Sequence, residues 1–200
     1  LPFRFLAAYR EISKVKSGYS GRILDALEKA VIVSAGNIAG FDENTKVVIA
    51  CDVSGSMQRP VSPKSKILSY DIGLMMAMLL KSRCKNAITG MFGDTWKIIN
   101  VPTNGILSNV DVFYRCEGEV GYSTNGYLVI KDLIQRKEKV DKVMIFTDCQ
   151  LWNSRNDQKI ANLWSTYKSI SPDSKLYLFD LAGYGNPPLD TCLLYPTDAA

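Results

Sequence analysis

Val47-Val48-Ile49-Ala50-Cys51-Asp52-Val53-Ser54-Gly55-Ser56-Met57 joins an apolar run to an acidic and hydroxyl cluster. The run is short, β-branched and without polar alternation. It reads as a strand buried on both faces at the centre of a parallel sheet. The cluster then falls at the strand's carboxyl end, where open α/β sheets bind ligands. Asp52, Ser54 and Ser56 recur at i, i+2 and i+4. In a loop curling over a strand end, that spacing aims one carboxylate and two hydroxyls at a single point. An all-oxygen set suits a hard cation such as Mg²⁺ better than zinc or copper. The same residues also suit a Ser/Gly turn in which Asp52 caps the next helix.

The chain around this stretch alternates strands and helices. Strands are expected at about 46–52, 86–92, 142–147 and 175–179, with 96–101 as the hairpin partner of the second. Helices are expected at about 65–83, with Ser62 or Ser65 as cap, and at 106–116, 125–138 and 157–170. Alternation argues for a doubly wound, mostly parallel α/β sheet flanked by helices. Residues 1–42 read instead as a helical segment. One helix carries Phe3, Leu6, Ala7, Arg10 and Lys14. A second carries Ile23, Leu24, Leu27, Ala30, Val31 and Ser34 on one side. Two helices cannot bury their apolar faces alone, so they must pack on residues 43–200, the second unit, or on sequence upstream. The chain opens on Leu1-Pro2-Phe3 rather than Met, as a piece of a longer protein would.

Composition excludes several chemistries. There is no His in 200 residues. This removes imidazole bases, Ser-His-Asp catalysis and His-liganded zinc. The five Cys are scattered, without a CxxC pair, which is neither a disulfide framework nor a zinc site. A reducing, cytoplasmic setting is expected. No signal peptide and no membrane-length apolar run is visible. The net charge of +4 permits a nucleic-acid partner without arguing for one.

Two further junctions offer oxygen ligands. Gly118 to Gly126 is a Gly-rich loop holding Ser123-Thr124-Asn125, and Thr147-Asp148 closes a later strand. In a parallel sheet these share one rim with Asp52. Two carboxylates near one point repel and favour a cation between them.

Asp52-Val53-Ser54-Gly55-Ser56, Thr124 and Phe146-Thr147-Asp148 resemble the metal-ion-dependent adhesion site (MIDAS) of a von Willebrand factor A domain. The resemblance covers about residues 45–195. It implies a divalent cation, usually Mg²⁺, with Mn²⁺ or Ca²⁺ as substitutes. Ser54 and Ser56 would coordinate directly, and Asp52, Thr124 and Asp148 directly or through water. Ser123 is an alternative to Thr124. The open position would take water or a partner's carboxylate. Leu1-Pro2-Phe3-Arg4-Phe5-Leu6-Ala7-Ala8-Tyr9 and Gly21-Arg22-Ile23-Leu24-Asp25-Ala26-Leu27-Glu28-Lys29-Ala30 resemble the junction between the TROVE module and the A domain in the Ro autoantigen family. That resemblance implies an RNA-binding ribonucleoprotein component. It would hold small noncoding Y RNAs or the ends of misfolded RNAs, largely through a helical ring mostly absent here.

Arg4, Arg10, Lys14, Lys16 and Arg22 offer an RNA-facing strip, but Glu11, Asp25 and Glu28 interleave with them as on a solvated face. Arg59, Lys64 and Lys66 flank the proposed ion and suit phosphate or plain loop charge. Tyr122, Trp152 and Tyr184 fall on rim loops, where they would stack bases, anchor a partner or simply pack. Two other readings compete. One is an A domain that captures a partner's Asp or Glu through the ion, with no RNA role. The other is a metal-dependent hydrolase or phosphotransferase, with Asp52 and Asp148 around Mg²⁺. Against catalysis stand the missing P-loop, the missing base and a Ser54 with no activating partner.

Overall fold

In the computed structural model, residues 2–36, 38, 41, 43–149 and 159–182 are described. The apolar run forms β1 (Lys46–Asp52), and every residue from Val47 to Asp52 is buried. It pairs in parallel with β2 (Asn86–Phe92) on one side and β4 (Lys142–Thr147) on the other. β5 (Lys175–Asp180) extends the sheet in parallel beyond β4, and β3 (Trp96–Ile98) closes the other side antiparallel to β2. The order is β3-β2-β1-β4-β5.

β1 lacks polar alternation because both of its faces are covered. Val47, Ile49 and Cys51 join a core with α3 (Ser69–Lys81) and α4 (Leu107–Cys116). Val48 and Ala50 join a second core with α5 (Tyr127–Arg136) and α6 (Ile160–Lys168). The chain leaves β1 for β2 on one side and later enters β4 on the other, so the sheet's topological switch point lies between β1 and β4. Among the described residues no helix is long and apolar enough to cross a membrane, and Cys51, Cys84, Cys116 and Cys149 are free thiols.

The helical segment forms α1 (Phe3–Ser13) and α2 (Ser20–Ala35). It packs on the unit that follows: Leu6, Val31 and Ala35 are buried in the α3–α4 core. Two polar contacts fix the hairpin. Arg10 donates to both oxygens of buried Asp71 on α3, at 2.9 and 2.7 Å. Glu28 of α2 accepts from the backbone N–H of Ile106, Leu107 and Ser108 at the start of α4. A carboxylate there satisfies otherwise unpaired amides and meets the positive end of the helix dipole.

Three expectations need correction. Arg10 does not sit on a solvated face; it is the partner of Asp71. Ile23, expected inward, is 43% exposed, and Ala30 is exposed as well. Apolar residues run most of the way round α2, so spacing alone does not select the inward ones; Val31 and Ala35 are the buried pair. Finally, α3 starts at Ser69, not 65. Asp71 accepts from the Leu68 N–H at 2.8 Å and so closes the first turn, as an acidic residue at the third helical position can. Residues 60–68 fold back before it, with Val61 N–H donating to Ile67 C=O at 3.0 Å and a bridge between Pro60 and Leu68.

Because Asp71 is fully buried, removing its cation strands a charge. Arg10→Met should lower stability by about 3 kcal/mol in urea denaturation. Adding Asp71→Asn should recover part of that loss.

Candidate metal centre

Asp52 and Asp148 leave the ends of β1 and β4, and both are buried. The register pairs Cys51 with Phe146, which brings Asp52 level with Thr147. Thr147 Oγ1 donates to Asp52 Oδ2 at 2.6 Å, and the Ser54 backbone N–H donates to Asp52 Oδ1 at 2.9 Å. Both carboxylate oxygens are therefore oriented. Thr147 Oγ1 also accepts from the Cys149 N–H at 3.2 Å. Cys149 takes a left-handed φ of 60°, turning the chain sharply after Asp148.

After Asp52 the chain enters a short 3₁₀ turn, Gly55–Gln58, pinned by fully buried Met57. The curl brings Ser54 Oγ within 3.2 Å of Ser56 Oγ. Ser54 is buried and Ser56 half-buried.

The Gly-rich loop is tied to this turn by backbone: Gly55 N–H donates to Tyr122 C=O at 3.0 Å. It is tied equally to the end of β2. Asn125 N–H donates to Gly93 C=O at 3.1 Å, and Ser123 N–H to the Asp94 carboxylate at 3.0 Å. Hydrogen bonds from Ser123 hold the Asp94 carboxyl below the usual range. The close approach needs two glycines. A Cβ on Gly93 would lie 2.0 Å from the Gly121 carbonyl oxygen, and Gly121 has a φ of +73°. Of the two adjacent hydroxyl residues, Thr124 is only 8% exposed while Ser123 is exposed.

Asp52, Ser54 and Ser56 thus form one hydrogen-bonded group, Asp148 acts on Asp52 through its charge, and Thr124 is buried in the loop bound to their turn. Burial, the larger cause, and the Asp148 charge push the Asp52 carboxyl up to about 6, against the pull of its Ser54 and Thr147 donors. Burial likewise raises the Cys51 thiol, and it pushes Cys149 up to about 12, with Asp180, Asp148 and Asp52 adding to the effect. Among the described residues no three His, Cys, Asp or Glu side chains cluster, so an ion here would be held by two carboxylates and hydroxyls. That set fits Mg²⁺ or another hard divalent cation and fits thiophilic metals poorly.

Two residues that shape the site are not marked as site residues in the sequence. Thr147 belongs to the motif quoted from the sequence, but its part as the hydroxyl donor to Asp52 follows only from the β1–β4 register. Asp94 reads as a turn residue, and its bond to Ser123 spans 29 positions. Tyr122 is 51% exposed; Trp152 and Tyr184 lie outside the described residues.

An open, mostly parallel sheet with oxygen side chains at the switch point is the build of a von Willebrand factor A-type domain. Residues 46–182 match the family described as the Ro60 vWA domain, and the chain belongs to that family. The crystal structure of the Deinococcus radiodurans RO (RSR) protein is similar in fold, with a TM-score of 0.64 at 21% identity. The match covers 84% of this chain and 33% of that one, so the chain spans about a third of that protein's length. No curated protein matches the chain in sequence.

Thr147→Val should leave a buried carboxylate with one donor fewer. Equilibrium unfolding without added metal should show a loss of about 1.5–3 kcal/mol.

Proposed function

We propose that the chain is a non-enzymatic, divalent-cation-binding A domain of a Ro-like RNA-binding protein. The observation that carries the metal reading is the buried pair Asp52 and Asp148 at adjacent strand ends, with Ser54 and Ser56 curled over Asp52. Two like charges out of water are costly unless a cation lies among them. Mg²⁺ is the expected ion, with Mn²⁺ or Ca²⁺ as substitutes, held by Asp52, Ser54, Ser56, Thr124 and Asp148. Membership of the Ro60 vWA family supports the RNA reading. A small noncoding RNA of the Y type, or a misfolded RNA, would be the partner of the full-length protein in a ribonucleoprotein. A cytoplasmic setting goes with that role.

The metal reading is tested by thermal unfolding with Mg²⁺, Mn²⁺, Ca²⁺ or chelator. At about 100-fold above Kd, an ion adds about 2.7 kcal/mol and raises Tm by roughly 5–10 °C. Asp52→Ala should abolish the rise. An identical rise in that variant, or none with any of the three ions, would sink the metal reading. For the RNA reading, the full-length protein should bind a small noncoding RNA with an affinity that falls steeply with salt. If it binds no RNA but captures an acidic peptide in an Mg²⁺-dependent way, the function is protein recognition instead.

A further inference from the structure

A groove of about 810 Å³ runs between α1, the segment ahead of α3, and α4. Five cations line it, Arg4, Arg10, Lys14, Lys64 and Lys66, against two carboxylates, Glu11 and Asp111. Asp71 neutralises Arg10 from below. Glu11 is shared by Lys14 and Lys66, at 3.1 and 3.2 Å, so one carboxylate faces two ammonium groups. Arg4 and Lys64 are exposed and have no acidic partner among the described residues. The floor is apolar, from Phe3, Ala7 and Ile67. Tyr114 forms part of the wall and is 45% exposed, with the Arg10 guanidinium 5.0 Å from its ring centre.

We propose that this groove holds a segment of single-stranded RNA. Arg4 and Lys64 are its main phosphate contacts, with Lys14 and Lys66 drawn in from Glu11. The proposal rests on the RNA reading above and deepens it by naming a contact surface on this chain, apart from the metal residues. Charge complementarity selects the occupant. A strand with one phosphate per nucleotide matches cations spread along a groove, and riboses and bases suit an apolar, aromatic-edged floor. An acidic peptide would match the charge but leave that floor without a planar partner.

The test is fluorescence anisotropy of a short labelled oligouridylate on the full-length protein, across a range of salt, with Mg²⁺ or with chelator. Replacing Arg4 and Lys64 together by Gln should weaken binding roughly tenfold at low salt and flatten the log–log salt slope by about 1.4, the share of two single-strand phosphate contacts. The double variant Arg4→Lys, Lys64→Arg should keep most of the affinity. Unaltered melting temperatures would show that the variants fold. If the wild type binds and the Gln variant keeps the same affinity and slope, the groove is refuted and the RNA reading stands. If the wild type binds no RNA, the RNA reading itself has failed. A polyglutamate peptide that occupies the groove more tightly than the oligonucleotide would also refute the assignment, in favour of a protein partner.

Discussion

Asp52 and Asp148 are both shielded from water at the ends of neighbouring central strands, and the surrounding structure follows from holding them there. Burial alone would favour a neutral acid. Fixed donors oppose it: the Thr147 hydroxyl and the Ser54 amide each occupy one Asp52 oxygen. The Ser54 amide is supplied by the turn after β1, but the Thr147 hydroxyl is in place only because β1 and β4 pair in one register, and that register is set by apolar residues packed on both faces of the sheet. The hydrophobic core therefore determines the position of the charges, and the charges define what the rim is suited to hold.

The rim is built by convergence of separate loops. The turn after β1 supplies Ser54 and Ser56. The Gly-rich loop reaches that turn through Tyr122 and reaches the end of β2 through Asp94 and Gly93. Thr124 is carried on a segment braced at both sides, whereas Tyr122, two residues before it, stays open to solvent. One loop therefore carries a buried hydroxyl and an exposed aromatic ring two residues apart.

Much of this is legible in the chain. β1 is recognisable because a short β-branched run without polar alternation suits a strand covered on both faces, and its expected range, 46–52, matches the strand that forms. The five candidate ligands can be named because strand ends in a parallel sheet share an edge. What stays hidden depends on long-range partners. Thr147 can be placed in the motif from the sequence, but its hydrogen bond to Asp52, 95 positions away, cannot. Arg10 looks solvated until Asp71, 61 positions away, is seen under it. The start of α3 is obscured because apolar spacing continues through Ile67 and Leu68 while the Asp71 carboxylate closes the first turn. Periodicity reports which residues want burial; it does not report which polar group will end an element or which face an ion pair will select.

The attachment of α1 and α2 bears on where this protein can be divided. The connector near residue 42 looks like a natural place to separate the helical segment from the sheet. Removing the two helices, however, would uncover Asp71 without its guanidinium, leave the first amides of α4 without the Glu28 carboxylate, and open the cavities now filled by Leu6, Val31 and Ala35. The smallest piece that keeps its interior dry and its buried charges matched is the sheet together with the hairpin. The covalent boundary and the thermodynamic boundary of this domain fall in different places.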